Sequence, residues 1–337
     1  MRQHIMQQPQ ALRDMIAFYA RGDARSILTS LPAAAPLLTG MGASLHAAQV
    51  AAAHLQQLGV PAAAVEAIDL FYYGRALLDG GRPLIFVSQS GTSAEVEPIL
   101  AALPREHPLL AVTNNLQSPL ASRAQTALPL HAAPEQGVAT RTYLNTLALL
   151  WLLARRWAGA SGDDDVETLA RLADACAALL ADADAIAGRW LAALGDAATL
   201  VFLGHGPHAA TARQAAMMLA ERARLPAIGT GVGAFRHGPI EIAQPGVGAV
   251  VFASPGQAAR SALALAEELR GYGGSVLVVE QGRTRDVGQP SAPDTPFDEF
   301  LAPALDIIPV QLFADALARS RGVAAEFRYL GKGARVV

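Results

Sequence analysis

The sequence predicts two α/β domains in tandem, each a doubly wound parallel sheet flanked by helices. Three observations carry this. The 337 residues exceed what one small core needs, so two domains of ordinary size are expected. Short apolar runs alternate with longer stretches of helical pattern, as in sheets whose strands are joined by crossover helices. The alternation also occurs twice, and both times the apolar runs end in clusters of glycine or small polar residues.

In the first half, APLLTGM (35–41) leads through glycines into the helix-like ASLHAAQVAAAHLQQLG. RPLIFVSQSG (82–91) reads as a strand, with TSAEVEPILAAL as the helix after it, and PLLAVTN (108–114) is a third strand. A helical connector follows from Leu144 to about Ala192, with Gly162-Asp163-Asp164-Asp165 as a turn and helix start. In the second half, ATLVFLGHG (198–206) precedes the helical AATARQAAMMLAERAR. VGAVVFASPG (247–256) and GSVLVVEQG (274–282) read as strands, and DIIPVQLFADALARSRG (306–322) as a strand leading into the last helix. The expected domains are 1–185, with the leading and linker helices, and 186–337, with the C-terminal tail.

Composition narrows the function. Apolar residues make up 52% and charged residues 16%, which suits a packed core and excludes a disordered chain. The formal charge is −3 and no long basic run exists, so no nucleic-acid surface is expected. The greasiest segment, Leu144 to Ala154, is closed by Arg155 and Arg156. It falls well short of the roughly 20 residues a spanning helix needs, and the first residues lack the apolar stretch of a signal peptide. No membrane partner is expected, and the cytoplasm is the expected compartment. Cys176 is the only cysteine, which leaves no internal disulfide and no cysteine-rich zinc site.

The most informative motif is Ser88-Gln89-Ser90-Gly91-Thr92-Ser93, between an apolar strand and a helical stretch. Hydroxyls, backbone N–H groups and a helix dipole would converge there on an anion. No lysine lies nearby, so it is not a Walker-type loop. A Ser-rich helix cap is the alternative. Gly40-Met41-Gly42-Ala43-Ser44 has the same form after the preceding strand. A proton shift between carbons beside a carbonyl would need a carboxylate of raised pKa and a histidine that titrates near neutrality. Glu221 ends an apolar, alanine-rich helical stretch, and His237 follows in a glycine-rich loop. A solvated carboxylate beside Arg222 and Arg224, and a histidine capping a turn, are the plainer readings of these two. His46, His205 and His208 read as structural or pocket-edge residues, and no metal and no cofactor is expected. Lys332 is the only lysine in the chain, so a primary amine is used once, where arginine cannot replace its nucleophilic chemistry.

On these motifs the chain resembles the sugar isomerase (SIS) domain family. Gln7-Gln8-Pro9, the Ser88–Ser93 segment, Gln136-Gly137-Val138-Ala139-Thr140 and Arg236-His237-Gly238-Pro239 are similar to segments of the isomerase domain of glucosamine-6-phosphate synthase. The resemblance implies flavodoxin-like, three-layer domains and phosphosugar chemistry. It implies that Ser44, Ser88, Gln89, Ser90 and Ser93 bind phosphate, and that Gly42, Val138, Ala139 and Thr140 bind the sugar. Ala43 replaces a threonine of the synthase. Glu221 would move the proton between C1 and C2, His237 would open the ring, and Lys332 would react with or position the carbonyl. In the family the histidine comes from the neighbouring subunit, which implies a homodimer with a shared site. With no counterpart of the synthase's glutamine-hydrolysing domain, the implied activity is that of an amino-sugar 6-phosphate deaminase/isomerase. Arg328-Tyr329-x-x-Lys332 is closer to the tail of fructosamine-6-phosphate deglycases. A deglycase, a galactosamine or tagatose 6-phosphate enzyme, and a non-catalytic phosphosugar sensor stay open as alternatives.

Overall fold

The computed structural model describes residues 1–21, 31–162, 164–291 and 296–329. They form two compact units. The first comprises residues 10–135, 141–170 and, among the described residues of the tail, 327–329. The second comprises residues 1–9, 136–140 and 171–326. The division near 170 comes ahead of the expected 185, because the helical connector is split: residues 144–170 group with the first unit and 171–192 with the second. The short segment 136–140 also groups with that unit.

The first unit holds a five-stranded sheet: β1 (Leu37–Gly40), β2 (Ala63–Glu66), β3 (Leu84–Val87), β4 (Leu109–Thr113) and β5 (Thr126–Pro129). The order is β2-β1-β3-β4-β5, and every pairing is parallel. The three central strands are buried at every position, as a parallel sheet covered on both faces requires. On one face Leu37, Leu84, Phe86, Leu109 and Ala111 pack against α4 (Ala67–Tyr72), α5 (Val96–Ala102) and α6 (Pro119–Arg123). Elsewhere α3 (Ala43–Gln57) packs on β1 and β2 and against α7 (Arg141–Trp157). The helices α1 (Arg2–Met6) and α2 (Gln8–Tyr19) precede the sheet.

The second unit repeats the plan with β6 (Thr199–Gly204), β7 (Ala227–Gly231), β8 (Val247–Phe252), β9 (Ser275–Glu280) and β10 (Arg283–Asp286) in the order β10-β9-β8-β6-β7. One strand departs from the expected parallel sheet: β10 runs antiparallel to β9. The cause is a two-residue turn, Gln281-Gly282, with φ of 49° and 79°, the left-handed pair that favours a tight hairpin. The charged Arg-Thr-Arg-Asp strand then blunts the sheet edge. Around this sheet lie α8 (Asp165–Ala181), α9 (Ala183–Leu194), α10 (Pro207–Ala223), α11 (Val232–Arg236), α12 (Ala259–Gly271) and α13 (Pro303–Ser320).

The last strand expected from 306 onward is not formed. Pro303–Ser320 is one helix with Pro309 inside it, and its first sixteen residues, to Ala318, are all buried. A continuous apolar run carries no period that separates a buried helix from a buried strand. Here burial on all sides, with Trp190 and Phe313 ring centroids 5.6 Å apart, accounts for the run.

Candidate functional site

In the first unit the candidate residues lie where strands end. Gly40 closes β1, and a Cβ there would sit 2.8 Å from the Val87 carbonyl oxygen and 2.9 Å from Ser44 Cβ. Only glycine allows that approach of the two strand ends. Gly42, at φ 51° and ψ −122°, turns the chain into α3, whose second residue is Ser44.

The Ser88–Ser93 segment begins as β3 ends, with Ser88 N–H donating to the Val112 carbonyl at 3.0 Å. It is a loop and not the start of a helix, since α5 begins at Val96. The expectation of a helix dipole behind the anion is corrected accordingly. The reason is local: Gly91 N–H donates to Ser88 Oγ and Thr92 N–H to Ser90 Oγ, both at 3.2 Å. Side chains that take backbone N–H groups in this way hold the chain out of a helix. Ser88 Oγ and Ser93 Oγ lie 3.2 Å apart and share one hydrogen bond. Each hydroxyl carries one proton. After that shared bond, Ser90 and one of the pair Ser88/Ser93 keep a proton for a ligand among the described residues. Gln89 anchors the loop, its carbonyl accepting from Asn114 N–H at 2.9 Å and Thr113 Oγ1 at 3.2 Å. Gly91 sits at φ 63°, where an added Cβ would fall on Ser118 Oγ. Thr113, Asn114 and Ser118 thus support the loop, though sequence reading missed them, because they come from the neighbouring strand end.

Gly42, Ser44, Ser88, Gln89, Ser90 and Ser93 therefore belong to one unit. Val138, Ala139 and Thr140 group with the other. Val138 and Thr140 are buried and Ala139 is half-buried.

In the second unit, Glu221 lies on α10 and is partly buried. Burial pushes its carboxyl up to about 7. Its arginine neighbours do not offset this. Arg222 Nε donates to Asp315 Oδ1 at 3.0 Å, and Arg224, in the left-handed conformation, donates to the Glu326 carbonyl at 3.0 Å. Glu221 itself makes no hydrogen bond or ion pair among the described residues. The reading of a solvated carboxylate beside two arginines does not describe it. His237 ends α11 and is exposed, just before Gly238 at φ 140°. The two residues share a unit, but no hydrogen bond joins them among the described residues. Lys332 lies outside the described residues.

The other histidines differ in role. His205 Nε2 lies 3.1 Å from Ser261 Oγ, and burial, then the nearby Arg236, lowers its pKa. His208 is buried and hydrogen bonds Asp306 Oδ2 at 2.8 Å. Ser254 Oγ donates to the same oxygen at 2.6 Å, and Gly282 N–H to Oδ1 at 2.7 Å. Serine, histidine and aspartate meet here, yet both side chains bond the carboxylate and all three are buried, so the serine is not set up as a nucleophile. Among the described residues no three potential metal ligands gather, and no helix is long and apolar enough to cross a membrane.

Comparison with known proteins agrees with this layout. Residues 36–156 match the SIS domain family. The glutamine–fructose-6-phosphate aminotransferase (isomerizing) of Pyrococcus horikoshii is 31% identical over 330 residues, covering 96% of this chain and 55% of that protein. That of Methanothermobacter thermautotrophicus is 30% identical over 289 residues, 84% of this chain and 48% of the relative. The chain thus spans about half the length of the curated relatives it matches. Among solved structures, the C-terminal domain of glucosamine-fructose-6-phosphate aminotransferase from Francisella tularensis superposes with a TM-score of 0.84 at 20% identity, covering 96% of both chains. Glucosamine-6-phosphate deaminase from Thermotoga maritima gives 0.81 at 20% identity over 99% of both. Tagatose-6-phosphate ketose/aldose isomerase from Escherichia coli gives 0.79 at 23%, covering 96% of this chain and 94% of that one. At such identities the structures speak to fold. Residues 36–156 are therefore a SIS domain, and the chain is homologous over nearly its whole length to about half of an isomerizing aminotransferase.

Proposed function

We propose that this protein is a phosphosugar isomerase/deaminase that converts glucosamine 6-phosphate and water to fructose 6-phosphate and ammonia. One observation carries the proposal: a partly buried carboxylate, Glu221, with no partner among the described residues, whose pKa burial pushes to about 7. A base poised near the working pH accepts and returns a proton at carbon with little driving force lost in either direction. Ser44, Ser88, Gln89, Ser90 and Ser93 hold the phosphate, and Gly42, Val138, Ala139 and Thr140 the sugar. His237, supplied by the neighbouring subunit of a homodimer, passes the hemiacetal proton to the ring oxygen and opens the ring. Glu221 takes the proton from C2 as the C1 carbonyl oxygen is protonated, giving an enaminol. Returning that proton to C1 leaves an imine at C2, and water replaces the nitrogen there, releasing ammonia. Lys332 positions the open-chain carbonyl or binds it as a Schiff base, and the cytoplasm is the proposed compartment.

The tail Arg328-Tyr329 before Lys332 favours a second reading, a deglycase that releases glucose 6-phosphate from a fructose-amine 6-phosphate. Ammonia release from glucosamine 6-phosphate, assayed beside glucose 6-phosphate release from fructoselysine 6-phosphate, separates the two. Glu221→Gln should lower kcat about a thousandfold on whichever substrate turns over. Full turnover by that variant removes Glu221 as the base. Binding without turnover of any amino-sugar phosphate would leave a phosphosugar sensor instead.

A further inference from the structure

We infer that Glu135 is a positioning residue that holds the segment 136–140 in its sugar-binding shape, a role that rests on the proposed sugar contacts of Val138, Ala139 and Thr140. Glu135 stands immediately before that segment, and its carboxylate reaches the residues immediately after it. Oε1 accepts the Arg141 N–H at 3.3 Å. Oε2 accepts the Thr142 N–H at 3.2 Å and the Thr142 hydroxyl at 2.6 Å. A second strap runs the other way, from the Arg141 guanidinium to the Pro134 carbonyl. The five residues in between are thus closed into a ring by two side chains. Within the ring Gly137, at φ 84°, reverses the chain, and Val138 and Thr140 are only 4% and 0% exposed.

Arg141 and Thr142 are also the first residues of α7, where free N–H groups and the helix dipole favour a carboxylate. Capping alone does not require this arrangement. Caps are usually made by the residue next to the helix, and here that residue is already a threonine, Thr140. Glu135 instead bridges the whole segment, so its distinctive effect is to fix the distance between the segment's two ends. A sugar meeting a segment held in this way need not order it on binding. Without the strap the sugar must do so, and the loss falls on binding more than on the chemical step.

The test uses the full chain and the amino-sugar 6-phosphate that the wild type turns over. Glu135→Ala should raise KM about tenfold, since three hydrogen bonds to a charged group are lost, and leave kcat within about threefold. Thr142→Val removes only the 2.6 Å bond and should raise KM about threefold. Asp298→Ala serves as control: its carboxylate caps Phe300 and Leu301 N–H at 2.9 and 2.8 Å, so Tm should fall with KM unchanged. An unchanged KM in a folded Glu135→Ala protein overturns the inference. If that variant does not fold, Glu135→Gln and Thr142→Val decide by the same criterion. A wild type that turns over no phosphosugar defeats the proposed function and not the strap. Hydrogen exchange then judges the strap: amides 136–142 should exchange faster in Glu135→Ala or Thr142→Val than in the wild type, and equal exchange overturns it.

Discussion

The strand ends of the two units start from one plan and arrive at different chemistry. Gly42 and Gly206 lead into their helices with nearly the same backbone, φ 51° and ψ −122° against φ 51° and ψ −120°. Gly40 and Gly204, two residues earlier, are both required by close backbone approaches. Counted from the last residue of β3 and of β8, Ser88-Gln89-Ser90-Gly91-Thr92-Ser93 stands opposite Ala253-Ser254-Pro255-Gly256-Gln257-Ala258. The hydroxyls of 88, 90 and 93 have become Ala, Pro and Ala. The one serine there, Ser254, stands opposite Gln89 and gives its proton to Asp306, which also takes His208 and Gly282 N–H. The second unit thus carries its own buried anion and its donors are engaged. The first unit leaves hydroxyl protons without a partner among the described residues. A crevice at the carboxyl ends of strands is a favoured place for a ligand. The comparison teaches that such a crevice can serve a ligand only where donors are left over, as in the first unit among the described residues.

The comparison can be broken most forcefully at Asp306. Asp306→Ala strips three buried donors of their acceptor and should cost about 3–5 kcal/mol, read by denaturant unfolding. Phosphosugar KM should not change in the protein that remains folded, and a large KM change would mean that the second unit's strand end is also a ligand site. The next effect is on Glu221. Below about pH 4.5, its ordinary value, the carboxyl is protonated in both folded and unfolded chains and contributes nothing. As pH rises towards the folded value of about 7, the unfolded chain gives up its proton first and stability is lost. Above that value the loss is complete, and remaining solvent contact limits it to about 2 kcal/mol. Glu221→Gln should therefore be more stable than the wild type at pH 8 by about that amount, and equal to it near pH 4. In the wild type kcat should rise with pH through a limb near 7, because the base must be ionised. A limb near 4.5 would show that burial does not set this group.

Smaller effects sharpen the contrast between the loops. Ser90→Ala should raise phosphosugar KM about fivefold to tenfold with little change in Tm, as expected for one hydrogen bond to a charged ligand. Ser254→Ala should do the reverse, lowering stability by about 1.5–3 kcal/mol and leaving KM alone. The smallest effect is expected from Ala253→Ser combined with Ala258→Ser. Restoring hydroxyls beside a buried carboxylate should give no phosphate binding by calorimetry, and measurable binding would mean that Asp306 does not oppose it.

Much of this was legible in the sequence, for physical reasons that can be named. β1, β3, β4, β6, β8 and β9 announce themselves as near-continuous apolar runs because both faces are covered. β2 and β7, Ala-Ala-Val-Glu and Ala-Ile-Gly-Thr-Gly, are half-buried throughout and carry neither alternation nor a run. β10 is charged and is defined by its turn. The serine loop was visible because its residues are consecutive. The start of α5 was not, since loop hydroxyls compete for the N–H groups a helix would use. Asp306 was invisible because its partners stand 98, 52 and 24 residues away. Glu135 was passed over because a glutamate two residues before a glycine says nothing until α7 is seen to begin six residues later.

The lone thiol has a practical consequence. Cys176 is fully buried within α8, where a polar maleimide cannot reach it. A cysteine introduced at the exposed Gln136 would then be the one labelling point on the described surface, with no background substitution needed. A dye attached there would let fluorescence follow the strapped segment in real time as a sugar phosphate arrives and leaves.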